Sequence, residues 1–451
     1  MRARASARSG CLFALLGAAC APRPPSPRCP REARAAAIEI TPRGYRDPAL
    51  WLRQWSAEER SRTLLSRAEI DALNVANRAG GQGPRDVAAP ALALAETSEG
   101  EVRASLRALD DQVDHGALVP TPPGDYPESR RVALASVPAD AWYVAPSELE
   151  LRCVPTAGQL LTPGGSAAFD RNRCSEAHPG EVLRVVRTSV DGGWQYAHTR
   201  HVSGWVRAES LGPRVSPADA ALFLRPARRA VLLRDNVDVA PGARLRLGAA
   251  LPLLELDAGI ATVMAPMRDG VGRVRVAWDP SQWSQNQPSL TRENFFRLAM
   301  ARVGEPYGWG GWQGGRDCSR LVLDLFATFG IELGRNSQLQ GRSGLRTEDL
   351  RSLGERDRLA RIRVARREGL VLLVMPGHVM VDLGEIDERG DGRGTWTLSA
   401  IAEFCRACAP QGQGSTLVHL ERVEVAPLSL GAGTPRGSFL SRLHTLTVFG
   451  G

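Results

Sequence analysis

Hydrophobic positions recur along this chain with different periods in different stretches, and the changes of period divide it. From about Ile38 to Arg131 apolar residues return at helical spacing, as in DPALWLRQWSAEERSRTLLSRAEIDALNVANR. Within it, Ser66 followed three residues later by Glu69 predicts a capping box ahead of Ile70, Leu73 and Val75. From about Val132 to Pro213 the period becomes two. EVLRVVRTSV, the turn Asp191-Gly192-Gly193, WQYAHTR and VSGWVRAESL predict short consecutive strands joined by tight turns. A second, less regular β unit runs from about Arg214 to Gln282, with RLRLGAALPLLEL and VGRVRVAWD as its clearest strands. From Ser284 onward TRENFFRLAMARVG predicts a helix with Thr291 as N-cap, and a glycine-rich loop and the helical pattern LVLDLFATFG follow. VLLVMPGHVMVDL then reads as two strands hinged at Pro376-Gly377, and the turn DERGDGRG leads into TWTLSAIAEF. Helices followed by antiparallel strands make this last region α+β. The predicted division is 1–30, 31–131, 132–213, 214–283 and 284–451.

Composition adds an environment. The 451 residues are too many for one ordinary domain. Net charge is +8, and with no lysine all 57 basic residues are arginine. Such a balance suits polyanionic surroundings such as a cell envelope, or reflects the codon bias of a GC-rich genome. No nucleic-acid-binding motif accompanies it, so nucleic acid is not expected as a partner. Arg2, Arg4 and Arg8, a short apolar run from Cys11 to Ala19, and small residues Gly17-Ala18-Ala19 before Cys20 make a targeting segment, too short to span a membrane. The Pro-rich stretch Ala21 to Pro30 reads as a tether. In an oxidising compartment Cys153 and Cys174 are available to pair, although sequence does not fix the pairing. Cys405 and Cys408 form a CxxC without a second ligand pair or a thioredoxin-like pattern, so a local disulfide or two free thiols is expected, with no metal and no cofactor.

The chemistry concentrates between Pro306 and Leu383. PYGWGGWQGGRDCSR is glycine-rich, which lets backbone approach a ligand closely, and a helix starting at DCS holds Cys318 in its first turn. Unpaired N–H groups and the macrodipole there favour a thiolate. His378 opens the second of the two hinged strands. A cysteine on a helix start and a histidine on a strand are the nucleophile and base of a cysteine hydrolase. Taken singly, each has a plainer reading, an inert buried thiol or a structural histidine.

Four pieces in order change that balance: YGWGG, DCS with its apolar helix, RNSQLQG from Arg335 to Gly341, and PGHVM around His378. Together they resemble the NlpC family of bacterial cell-wall cysteine peptidases, in the branch with SH3-like domains ahead of the catalytic domain. The resemblance implies an α+β chain: a papain-like catalytic domain preceded by a helical stabilising segment and two small all-β SH3-like barrels, Gly204-Trp205-Val206 resembling the closing strands of the first. It makes Cys318 the nucleophile and His378 the general base, and places the third catalytic position on Ser399, with Thr397 or Glu403 as alternatives. Tyr307 falls where the family has a tyrosine near the oxyanion, or packs on the loop. Asp317 and Ser319 match residues that bind the free α-amine of L-Ala in a peptidoglycan stem peptide, and Asp170 is the candidate acid from the first barrel, which should also wall the groove. The implied reaction cuts the γ-D-glutamyl–diamino acid bond. Cys20 resembles a lipoprotein's acylated cysteine, so membrane contact is expected only through a lipid anchor, and otherwise the chain is simply secreted, outside the inner membrane in either case. Four positions depart from the pattern: Gly17 where leucine is usual, Arg320 where a small residue is common, Gly334 where proline often stands, and Ser399 where histidine is usual. A wall-binding protein with a decayed hydrolase domain, or an amidase of this type acting on another acyl substrate, are the alternatives.

Overall fold

The computed structural model describes residues 40–42, 44–386, 394–408 and 414–451, so Cys20, the tether and most of the DERGDGRG turn lie outside the described residues. The capping box forms at Ser66 and starts helix α1 (Arg67–Ala79). Ile70 and Leu73 are buried, while Val75 is 58% exposed, off the inward stripe. Trp51, Leu52, Ile70 and Leu73 join one core with Phe295, Phe326 and Phe329 of the C-terminal region. Helices α2 (Ala91–Asp114) and α3 (Asp125–Ala135) pack elsewhere: Val102, Leu106, Leu109 and Tyr126 share a core with Val186, Tyr196 and Trp205. The helical stretch read as one segment therefore divides between two cores. Helical period reports which face is apolar, not what that face will meet.

Residues 137–207 form an antiparallel sheet of β1 (Val137–Val144), β2 (Leu149–Arg152), β3 (Arg173–Ala177), β4 (Val182–Thr188), β5 (Trp194–His198) and β6 (Ser203–Arg207), in the order β1-β4-β5-β6-β2-β3. A Cys153–Cys174 disulfide ties it. Next comes a five-stranded sheet of β7 (Arg229–Leu232), β8 (Ala250–Asp257), β9 (Ile260–Met267), β10 (Gly270–Ala277) and β11 (Trp283–Gln285), in the order β10-β9-β8-β7-β11. Its core reaches Val144 and Val182 of the first sheet, so the two units pack directly on each other.

Helices α4 (Arg292–Met300) and α5 (Cys318–Thr328) precede a six-stranded sheet. Its strands are β12 (Arg346–Asp349), β13 (Leu370–Met375), β14 (His378–Ile386), β15 (Gly394–Ala407), β16 (Ser415–Pro427) and β17 (Thr445–Phe449), ordered β12-β17-β13-β14-β15-β16. β13 is buried on both faces, and alternation sorts it. Leu370, Leu372 and Val374 face the core of α4 and α5, whereas Val371, Leu373 and Met375 face Ile362 and Ala365 of helix α6 (Glu355–Glu368). The tight β13–β14 hairpin, with Met375 paired to His378, fixes the position of the histidine strand against α5.

Candidate active site

Cys318 is the first residue of α5, and its N-cap is Asp317, whose Oδ1 accepts from the Arg320 N–H at 2.8 Å. Val379, the residue after His378, donates its backbone N–H to the Cys318 sulfur, which brings the strand start and the helix start together. His378 Nε2 lies 3.0 Å from Ser399 Oγ. With Nε2 donating to that hydroxyl, Nδ1 is left as the basic nitrogen. Of the three candidates for the third position, only Ser399 is hydrogen-bonded to the histidine. Thr397 instead donates to the Ala426 carbonyl at 3.1 Å, and Glu403 pairs with Arg436 at 3.3 Å.

The expected resting thiolate is not what this environment favours. Burial, and then the Asp317 carboxylate next door, push the Cys318 thiol up to about 12. Burial, and then Arg442 and Arg436, push His378 down to about 3. The helix terminus does attract an anion, but Asp317 already occupies it as the cap, and a second negative charge beside it is disfavoured. This environment disfavours charge on both groups, a thiolate at Cys318 and an imidazolium at His378 alike. Alkylation of Cys318 by iodoacetamide is expected to rise about tenfold per pH unit from pH 7 to 10 without levelling. A flat rate between pH 5 and 9, followed by mass spectrometry of the labelled peptide, would instead reveal a thiolate–imidazolium pair.

Asp317 is not a waiting counter-ion either. Its Oδ2 accepts from Arg335 Nη2 at 2.7 Å, and its Oδ1 accepts from Arg335 Nη1 at 3.0 Å and Ser319 Oγ at 2.9 Å. Burial raises its affinity for a proton, but the Arg335 charge and hydrogen bonds outweigh that and hold the carboxyl below its ordinary value. A ligand ammonium would have to share Asp317 with Arg335. Arg335 belongs to the RNSQLQG segment, in which nothing local marks it for this role. The structure makes it the hub, because its Nε also donates to Ser175 Oγ of β3 at 2.9 Å.

Asp170 is a correction. Buried, its carboxylate binds Arg152 at 2.5 Å through Oδ2 and accepts from the Leu160 and Asn172 N–H groups, each at 2.9 Å, through Oδ1, so it organises its own loop. The neighbours of Asp170 are what reach the site. Phe169 packs on Tyr307 with ring centroids 5.8 Å apart, while the guanidinium of Arg171 covers Trp309 at 4.2 Å and that of Arg173 covers Trp312 at 5.0 Å. The glycine-rich loop is thus gripped by the first β unit. At Gly311, with φ +85°, a Cβ would lie 1.6 Å from Glu176 Oε2, so only glycine permits this approach. Burial, and then the neighbouring Cys318 and Asp317, push the Tyr307 hydroxyl well above its ordinary range, which keeps it a donor.

Two of the departures have structural causes. A Cβ on Gly334 would sit 2.6 Å from the Gln82 carbonyl oxygen, so the segment after α1 passes where a larger residue would stand. Arg320 is buried between units, donating to His178 Nδ1 at 2.5 Å, Glu181 at 2.9 Å and Asp324 at 2.8 Å. Glu148, Glu176 and His178 converge within 4.8 Å, but Arg246 pairs with Glu148 and Arg320 with His178, so guanidinium groups already supply the positive charge there. Cys405 carries a free thiol while Cys408 is disulfide-bonded, so the CxxC is neither a closed local pair nor two free thiols.

Comparison with known proteins fits this geometry. Residues 304–387 match the NlpC/P60 family, and residues 159–207 match the SH3 domain of SH3b1 type. A solved NlpC/P60 endopeptidase from Photobacterium damselae subsp. piscicida superposes with a TM-score of 0.66 at 15% identity, covering 88% of this chain and 96% of its own. An NlpC/P60 family protein from Bacillus cereus aligns with a TM-score of 0.43 at 16% identity, covering 69% of this chain and 100% of its own. No curated protein sequence matches the chain.

Proposed function

We propose, from an NlpC/P60 segment at residues 304–387 gripped by an SH3b1-type unit, that the chain is a cell-wall cysteine peptidase cutting the γ-D-glutamyl–diamino acid bond of stem peptides that begin with a free L-Ala. The observations that support the reading are the bond from the Val379 N–H to the Cys318 sulfur, which sets the start of the His378 strand against the Cys318 helix start, the 3.0 Å contact of His378 with Ser399, and the buried Asp317 next to Cys318. The Cys318 sulfur attacks the γ-carbonyl carbon as its proton passes to His378 Nδ1, so charge develops only when substrate is present. Tyr307 donates to the developing oxyanion. The tetrahedral adduct collapses to a thioester, and the proton held by His378 goes to the departing amine of the diamino acid. Water then adds to the thioester, delivering a proton through His378 back to sulfur, and the L-Ala-γ-D-Glu acid leaves. Ser399 holds the imidazole with Nδ1 towards sulfur.

Asp317 and Ser319 receive the L-Ala ammonium, and the selectivity follows from that. A buried carboxylate that gains an ammonium stabilises the complex, whereas a capped amine brings a neutral amide against it. Acetylating the amine of L-Ala-γ-D-Glu-diaminopimelate should therefore lower kcat/KM by about 10²-fold, equivalent to a few kcal/mol. Digests of free, acetylated and glycan-linked stems, weighed by mass spectrometry, test this. Equal cleavage of all three would remove the amine requirement, cleavage of another acyl bond would reassign the substrate, and no cleavage of any would favour a binding protein.

For location, the reading is a chain exported beyond the inner membrane and anchored by a lipid on Cys20, supported by the arginine-led apolar run before it. Metabolic labelling with a radioactive fatty acid is expected to mark the wild type and not Cys20→Ala. An unlabelled wild type would leave plain secretion.

A further inference from the structure

A cavity of about 350 Å³ lies behind the catalytic helix, where five parts of the chain meet: α1, the β3–β4 and β5–β6 turns, the second β unit and α5. It is separate from the cysteine site. Arg320, Leu323, Asp324 and Ala327 of α5 line it, and at 100° per residue that stripe is centred about half a turn from Cys318. Its size is that of a small-molecule site.

The inner wall is electrostatically closed. Asp324 accepts from Arg316 at 2.7 Å and from Arg320 at 2.8 Å, and Glu181 accepts from Arg320 at 2.9 Å. The outer wall is not. Arg229, partly buried at the start of β7, has no side-chain hydrogen bond or ion pair among the described residues; only its backbone is engaged, its N–H donating to the Asn286 side chain and its carbonyl accepting from the Asn286 N–H. Arg67 bonds only backbone carbonyls, those of Phe329 at 3.1 Å and Gln287 at 3.4 Å. Arg200 pairs with Glu332, a carboxylate it shares with Arg78. Asp71, exposed on α1, is the other acid at this wall. Three guanidinium groups of the outer wall, Arg67, Arg200 and Arg229, thus face two carboxylates, Asp71 and Glu332, the latter already shared with Arg78. Burial, and then the neighbouring Arg200, push the Arg229 guanidinium below its ordinary value, as expected of a cation left without a partner. Phe223, Leu224 and Leu251 supply an apolar side against which a carbon skeleton can lie.

We infer that this cavity binds a small multivalent oxyanion, a compact polycarboxylate or a phosphate, through Arg229 together with Arg67 and Arg200. Guanidinium suits the task because its planar N–H fork matches carboxylate and phosphate oxygens two at a time. The three arginines come from α1, the first β unit and the second, so a bound oxyanion would cross-link all three against α5. That effect is independent of the reaction proposed for Cys318.

Isothermal titration of the full-length protein with citrate and, separately, inorganic phosphate at low ionic strength, with chloride as control, tests the site. Saturable one-to-one binding of at least one titrant is expected, accompanied by a higher melting temperature. Arg229→Gln should weaken it about tenfold or more, and Cys318→Ala should leave it unchanged. Citrate alone binding would assign a polycarboxylate, and phosphate alone a phosphate. No saturable binding of either overturns the inference, as does binding weakened by Cys318→Ala and not by Arg229→Gln. If Arg229→Gln melts well below the wild type, Arg67→Gln, which removes a cation that holds no carboxylate, is read in its place by the same criteria.

Discussion

Cys318→Ala and His378→Ala are each expected to lower kcat/KM on the free stem tripeptide by at least about 10³-fold, with Ser399→Ala about tenfold down and Ser399→His at or above wild type. The grading follows from what each side chain does. Without sulfur there is no acyl acceptor, and without imidazole nothing takes the thiol proton. That second loss is severe here because a thiol pushed up to about 12 is almost wholly protonated at neutral pH. Ser399 acts one bond away, through its 3.0 Å contact with His378 Nε2, and a water can replace a hydroxyl more readily than an imidazole. Because His378 is pushed down to about 3, the base stays unprotonated through mildly acidic conditions, and the acid limb of kcat/KM should fall well below pH 6. Steady-state rates across pH on the four variants check the set. Wild-type rates in Cys318→Ala or His378→Ala would move the reaction to another site, and a neutral Ser399→Ala with a dead Ser399→His would give the orienting role to another group.

What could be read from the sequence was local. The Ser66 capping box, the Asp317-Cys318 helix start and the His378 strand are each specified within a few residues, by a cap, a glycine-rich loop or a tight hairpin, and all three stand where the pattern puts them. Helix α6 escaped notice because ERDRLARIRVARRE buries only Arg358, Ile362 and Ala365, an apolar stripe too thin to show against its arginines. The partners of the acids at the site are long-range: Arg335, which holds Asp317, lies 18 residues from it, and Arg152, which holds Asp170, lies 18 residues from it, and neither pairing is marked in the local sequence. A helix dipole is legible in sequence, whereas the burial that pushes the Cys318 thiol up, and that sharpens the effect of the adjacent Asp317, is not. Arg320 looked like a departure from pattern until His178 and Glu181, some 140 residues earlier in the chain, supplied its partners.

Arg335→Leu is expected to destabilise the protein by about 3–5 kcal/mol, because it strands a buried carboxylate. Arg335 is 5% exposed and Asp317 8% exposed, and the lost bonds include both oxygens of Asp317 and the hydroxyls of Ser319 and Ser175. The double variant Asp317→Asn with Arg335→Leu should recover part of the loss, since removing the orphaned charge removes its desolvation penalty. The non-additivity in a double-mutant cycle reads the coupling. Arg335→Lys should keep the charge and lose the bidentate fork, falling between the two. The pH dependence has a definite sign. The folded-state value of Asp317 is depressed, so the pair stabilises above the unfolded value of about 4 and that contribution fades as pH falls through the folded value. Denaturant midpoints of wild type and Arg335→Leu should therefore differ most near pH 7 and converge in acid. Substrate binding supplies the second readout, since a carboxylate freed from its arginine is better placed to hold an ammonium. If Arg335→Leu/Cys318→Ala, measured by titration calorimetry with stem tripeptide, binds more tightly than Cys318→Ala alone, then Arg335 competes with the substrate amine for Asp317. If it binds more weakly, Arg335 serves to aim the carboxylate, and a midpoint unchanged by Arg335→Leu would refute the hub role altogether.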